Sequence, residues 1–322
     1  MQWNVGTDVG LFNNRISLLA DYYHKKTTDL LLCMPILLSS GFGTYFTNAG
    51  NIENKGFEFE LSSKNLVGEF KWSTSLNMTF NRNKILKLAD GVDEMFGGIE
   101  GVNRARIGEP LGVFYGYKAV GVNPQTGMID YQAHDGSVGP PKDNNFYKIG
   151  DPNPQFFGGI SNNFSYKNFD LSILGQFTYG NDILNYGLAN GLEGYNVSSN
   201  AFVDWERRWR QPGDITDVPR PTPSNSDNGK VSTRFIQDGS FFRIRNVTFG
   251  YTLPESISEK IRMKKLRWYF TVQNAYVFTN YRGFDPEVSS SHGGANAGLI
   301  YGYDYGSYPQ PRMFTTGFNI TF

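Results

Sequence analysis

The sequence contains one cysteine, Cys33, in 322 residues. No internal disulfide can form, and no Cys/His spacing suits a structural zinc. Charge is scarce and balanced: charged residues make up 19%, with 30 Lys and Arg against 30 Asp and Glu. That leaves no basic excess to hold nucleic acid. Long apolar runs are missing too. The longest, Leu30 to Leu38, has nine residues and contains Pro35, about half the length a membrane-spanning helix needs. With a mean hydropathy of −0.41, a helical membrane protein is excluded. The three histidines, His24, His134 and His292, are scattered, so no nucleophile–base constellation can be drawn from them. No enzyme activity and no cofactor are expected. The opening stretch, MQWNVGTDVGLFNNR, has neither the basic nor the apolar region of a signal peptide. The expectation is a chain that starts inside a longer polypeptide.

Aromatics and glycine are plentiful, at 16% and 37 residues. The pattern they make is clearest in Arg312 to Phe322, RMFTTGFNITF. Phe314, Thr316, Phe318, Ile320 and Phe322 share one face. Met313, Thr315, Gly317, Asn319 and Thr321 share the other. Alternation of this kind suits a half-buried antiparallel strand, and its length matches the roughly 9–11 residues that cross a bilayer as a tilted strand.

The same alternation recurs in Trp3–Leu11, Arg15–Lys26, Asn51–Ser63, Lys71–Arg82, Phe156–Lys167, Phe169–Gly180, Phe241–Leu253 and Leu266–Thr279. Gly112–Val122 also reads as a strand, but Phe114 and Tyr115 put aromatics on both of its faces. The connections decide its place. Short ones are expected at 12–14, 63–70, 167–168 and 254–265, and long ones at 27–50, 83–155, 181–240 and 280–311. Bacterial barrels put short turns in the periplasm and long loops outside. The two kinds alternate only if Gly112–Val122 stands outside the wall, in a small hairpin turning at Asn123–Gly127. The reading is therefore all-β: about nine wall strands of an antiparallel transmembrane β-barrel. An unpaired edge in lipid is untenable, so further strands must close it. Leu76, Phe164, Ile173, Phe249, Phe270 and Phe318 are assigned to lipid. Asn77, Ser165, Ser172, Thr271 and Asn319 are assigned to the lumen.

Candidate contact residues lie in the long loops. Tyr301, Tyr303, Tyr305 and Tyr308 fall within eight residues, spaced by Gly302, Asp304 and Gly306. Exposed loop aromatics stack well on sugar or peptide faces, and the glycines are expected to leave the rings accessible. Trp205 to Arg210 forms a basic–aromatic cluster. It reads first as a helix packed beneath an outer loop, with Trp209 a weaker candidate for ligand or lid contact. Glu58 and Glu60 sit at i, i+2 on a strand, an ordinary lumenal pair rather than a catalytic one. Asp130 and Asp135 are poorly spaced for calcium, and no metal site is expected.

The blocks NVGTDVGLFNNRISLLADYYHKKTTDLLL, NAGNIENKGFEFEL, GEPLGVFYGY, IGDPNPQFFGGISNNFSYKNFDLSILGQFTYGNDI and FIQDGSFFRIRNVTFGYTLP, with the terminal aromatic, together resemble the SusC/RagA family of TonB-linked outer-membrane transporters. The resemblance covers nearly the whole chain. It implies residues 1–322 as the C-terminal part of a larger barrel, of 22 strands with a plugged lumen, whose plug domain and N-terminal strands are absent here. It implies import of an oligosaccharide or peptide across the outer membrane of a Bacteroidota-like bacterium. The implied partners are a SusD-like surface lipoprotein, TonB through the missing N-terminal region, and outer-membrane lipid. Two other readings compete: a non-transport β-sheet carbohydrate-binding module, and a small self-contained porin.

Overall fold

The computed structural model describes residues 1–35, 38–42, 44–97, 101–193, 200–222, 227–287 and 299–322. Nine long strands form one antiparallel sheet: β1 (Gln2–Leu11), β2 (Ile16–Pro35), β3 (Thr44–Val67), β4 (Phe70–Lys87), β5 (Phe156–Tyr166), β6 (Phe169–Tyr179), β7 (Phe241–Thr252), β8 (Lys265–Thr279) and β9 (Met313–Thr321). They follow one another in sequence order, with β1 and β9 at the two edges. The nine strands are those read from the alternation. Three of the four connections expected to be long are long, 88–155, 180–240 and 280–312, but the one between β2 and β3 is only 36–43, shorter than 253–264 between β7 and β8.

Register holds the two faces apart. Leu61, Leu76 and Ile160 line up across β3, β4 and β5, while the next row reads Glu60, Asn77 and Gly159. On the apolar face aromatic rings touch in two belts. One runs through Trp3, Tyr22, Phe57, Phe59, Phe80, Phe156 and Tyr179, with successive ring centroids 4.7–6.3 Å apart. The other includes Phe70, Trp72 and Phe164 near the short turns. Phe80 and Trp72 lie on one strand, eight residues apart. At ~3.4 Å per residue and a tilt of ~40° the belts stand roughly 20 Å apart, close to the height of a lipid-facing band. The apolar face is the lipid side of such a wall. Phe270→Arg, on that face of β8, is expected to cost about 2–4 kcal/mol near the bilayer midplane. Ser172→Arg, on the polar face, should cost far less. Unfolding in detergent with equal losses for the two would refute the assignment of faces.

The expected loop 27–50 is mostly strand. β2 continues to Pro35 and β3 begins at Thr44, with register shifts at Thr27 and Leu30. A strand needs one apolar face only where it crosses lipid. Beyond the membrane the ladder continues while the alternation fades, so its end could not be read from pattern. The expected turn 63–70 shrinks likewise to Gly68 and Glu69 between β3 and β4. Gly112–Val122 is not one strand. Val113–Gly116 belongs to a four-stranded sheet and Lys118–Val122 to a three-stranded one, both outside the wall. Cys33 is buried on β2 rather than placed in a loop.

One local irregularity bears on the site. β7 pairs with β6 through Leu174–Asn246 and then Gly175–Ile244, leaving Arg245 as an extra residue. This bulge reverses the alternation. Phe242 and Ile244 join the apolar face, and Arg243 and Arg245 both serve the polar side.

Candidate functional site

At the long-loop end the excursions fold into a compact layer. Asp182–Asn185 pairs antiparallel with Ile236–Asp238 and parallel with Tyr303–Asp304. This small sheet ties three distant segments together over a core of Phe114, Leu184, Phe235, Val102 and Tyr303. Helix α1 (Tyr186–Glu193) follows directly.

The five candidate contact residues part company here. Tyr303 is 1% exposed and belongs to the core. The Tyr301 hydroxyl donates to the Leu111 carbonyl, and its ring lies against Gly112, where a Cβ would stand 2.6 Å from ring atoms. Burial raises its pKa well above the usual tyrosine range. Trp209 is a staple: its indole Nε1 donates to the Pro124 carbonyl at 2.9 Å. Its ring covers Gly127, where a Cβ would come within 2.5 Å. The remaining two face outward. Tyr305 is 54% exposed and stacks on Tyr186 at 5.5 Å, and Tyr308 is 97% exposed. The glycines do not act alike. Gly302, at φ +70°, is wedged against Pro152 and turns Tyr301 and Tyr303 inward, whereas Gly306 stands in open space. Only the first part of the basic–aromatic cluster is helical, within the short 3-10 helix Val203–Arg207, where Trp205 packs on Leu188 and Val218; Arg208, Trp209 and Arg210 lie beyond it.

A second constellation was missed in the alternating pattern. Arg243, 4% exposed at its side chain, pairs with Asp285 at 2.5 Å and with Glu287 at 2.6 Å. Arg245 pairs with Glu287 and donates to Gln176 Oε1 at 2.7 Å. Asp285 also accepts the backbone N–H groups of Glu287 and Gln310, and Asn274 donates to the Pro311 carbonyl. Both ends of the last long loop are thus bolted to the polar face of β7 and β8. Nearby, Tyr281 donates to Asp304 at 2.5 Å; burial, and then this bond, keep its hydroxyl protonated. The signal in the sequence was the pair of arginines in FRIR and the acids in DPE, split by 42 residues.

The polar groups considered for chemistry are engaged locally. Asp130 accepts from Asn123, and Asp135 from Ser137 and Lys142. Those bonds hold the Asp135 carboxyl well below its ordinary range. His24 meets Glu53, His134 lies on the Tyr147 ring, and His292 falls outside the described residues. Among the described residues no three His, Cys, Asp or Glu side chains gather as a metal site would require.

Residues 1–210 match the family described as TonB dependent receptor-like, beta-barrel. The chain belongs to that family. TonB-dependent receptors are transport proteins, not enzymes. The chain is 37% identical to TonB-dependent receptor P3 of Formosa agariphila, over 100% of its own length and 34% of that protein. It is 30% identical to TonB-dependent receptor SusC of Bacteroides thetaiotaomicron, over 99% of its length and 31% of that protein. The solved RagAB peptide transporter superposes on all of it with a TM-score of 0.87 at 25% identity, and the match covers 35% of that chain. The receptor barrel described here therefore spans about a third of the length of the relatives it matches.

Proposed function

We propose that this chain forms the C-terminal part of the barrel of a TonB-dependent importer in the outer membrane of a Bacteroidota-like bacterium. The nine-stranded antiparallel wall, with its strands in sequence order and one apolar face, carries the reading, supported by its superposition on the RagAB peptide transporter. The cargo is an oligosaccharide or a peptide, captured with a SusD-like lipoprotein at the long-loop end. A plug and the TonB contact come from polypeptide outside these 322 residues, within a barrel of 22 strands. A soluble carbohydrate-binding sandwich would need two facing sheets, and the wall is one sheet. A self-contained porin would need β1 paired with β9, and the two lie at opposite edges.

Within this reading, ligand or lid contact concentrates on Tyr305 and Tyr308. Tyr301, Tyr303 and Trp209 support the surface from beneath. Tyr305→Ala with Tyr308→Ala in the full-length transporter should weaken capture about five-fold per ring, the equivalent of ~1 kcal/mol each. Surface level should stay normal. The assay is growth on, and binding of, candidate oligosaccharides and peptides, with pull-down of the lipoprotein. Unchanged capture and lipoprotein association at normal surface level would reject these two rings. Deleting the gene with no loss of growth on any such nutrient would reject import itself.

A further inference from the structure

The upper aromatic belt has a charged border on one side only. Two residues beyond Tyr22, Phe57 and Phe80, on the same apolar face, register brings His24, Lys55 and Arg82 into one row. Two residues further, Lys26, Glu53 and Lys84 form the next. Each row stands roughly 5 Å above the one below it, for tilted strands rising ~3.4 Å per residue. Four permanent cations and one carboxylate therefore crown the lipid face of β2 to β4. Glu53 is engaged by His24 at 2.8 Å and lies 3.9 Å from Lys55. Among the described residues no carboxylate lies within ion-pair distance of Lys26, Arg82 or Lys84. The Arg82 guanidinium is fixed at this height, its Nη1 donating to the Asn81 and Gln155 carbonyls at 2.8 Å.

The neighbouring strands show that this is no general property of the rim. At this end the residues that flank β5 to β8, namely Pro154, Asn181, Ser240 and Asn280, are all uncharged, and a single cation, Arg312, precedes β9. At the short-turn rim the same face carries Leu253, Leu266 and Ile320. Positive charge on the lipid side is concentrated at the long-loop end, over three adjacent strands. The layer that meets a barrel at that height is the headgroup region of the outer leaflet, where a Gram-negative membrane presents phosphorylated glycolipid.

We propose that Lys26, Lys55, Arg82 and Lys84 form a binding site for the phosphate groups of an outer-leaflet glycolipid, whose acyl chains lie on the aromatic belt below. This rests on the outer-membrane reading above. Lysines supply mobile point charges and arginine a fixed, planar donor pair for phosphate oxygens. Basic clusters at a membrane surface attract anionic headgroups in this way.

The test uses the full-length transporter purified from outer membranes in mild detergent. The probes are bis-phosphorylated lipid A and its dephosphorylated form, read by native mass spectrometry and by competition. The wild type is expected to retain the phosphorylated form about ten-fold more strongly, with binding that weakens as salt rises. Lys26→Gln, Lys55→Gln, Arg82→Gln and Lys84→Gln combined should abolish that preference while the heat-modifiable band persists. Lys55→Arg with Lys84→Arg should preserve it. Equal binding of the two lipids by the wild type would overturn the proposal, whatever the fate of the variants. Fractionation of the wild type away from the outer membrane would instead overturn the transport reading, and the site with it.

Discussion

Purified on its own, the 322-residue chain will aggregate in detergent and show no heat-modifiable band. The reason is the pair of open edges. β1 and β9 are each paired on one side only, to β2 and β8. Each therefore offers a row of unpaired N–H and C=O groups along a segment that lies at membrane depth. Every such group left unsatisfied in hydrocarbon costs several kcal/mol, so even a few exceed the 5–15 kcal/mol that holds an ordinary domain together. Co-expression with the remaining strands of the barrel should restore a folded, heat-modifiable species. A monodisperse, heat-modifiable monomer from this chain alone would show that its edges close without further strands. The partial-barrel reading would then be abandoned.

The second large effect is expected at the bolt between the wall and the last long loop. Arg243→Met in the full-length protein should lower stability by about 3–5 kcal/mol, the usual consequence of leaving a buried charge without its partner. Asp285 is 4% exposed as a residue, and its carboxylate would keep only the N–H groups of Glu287 and Gln310. Pairing the change with Asp285→Leu should recover much of the loss, because two apolar groups of similar size replace a charged pair at little net cost. Thermal unfolding and protease cleavage within 280–311 report the two effects separately. A single substitution that costs less than about 1 kcal/mol, with the loop as resistant as before, would show that the pair is a passive contact.

The wall was legible in the sequence because lipid forces a strand to keep one apolar face. Leu61, Leu76 and Ile160 had to fall on the same side, and they do. The same rule explains what could not be read. Above the membrane β2 and β3 keep their hydrogen bonds while Leu30 to Leu32 lose all alternation, so residues 27–50 resembled a loop. At Arg245 one extra residue reverses the faces of β7, and a strict period of two cannot anticipate it. The site was legible only as composition. Four tyrosines in eight residues pointed to a functional surface, but Tyr303 at 1% and Tyr308 at 97% exposure carry the same local signature. Which ring turns inward depends on Phe114 and Leu184, more than 100 residues away in the chain.

The small sheet over the lumen also sets an order of assembly. Wall strands pair with their sequence neighbours, so each hairpin closes a limited loop. The parallel pairs Leu184–Tyr303 and Asn185–Asp304 instead span more than 100 residues of chain, and the loss of chain entropy must be met before those contacts return anything. The outer layer is thus the high-contact-order part of the molecule. It orders last, after β7 and β8 have brought the two segments within reach. A stalled insertion intermediate would carry a formed wall beneath loops still open to protease.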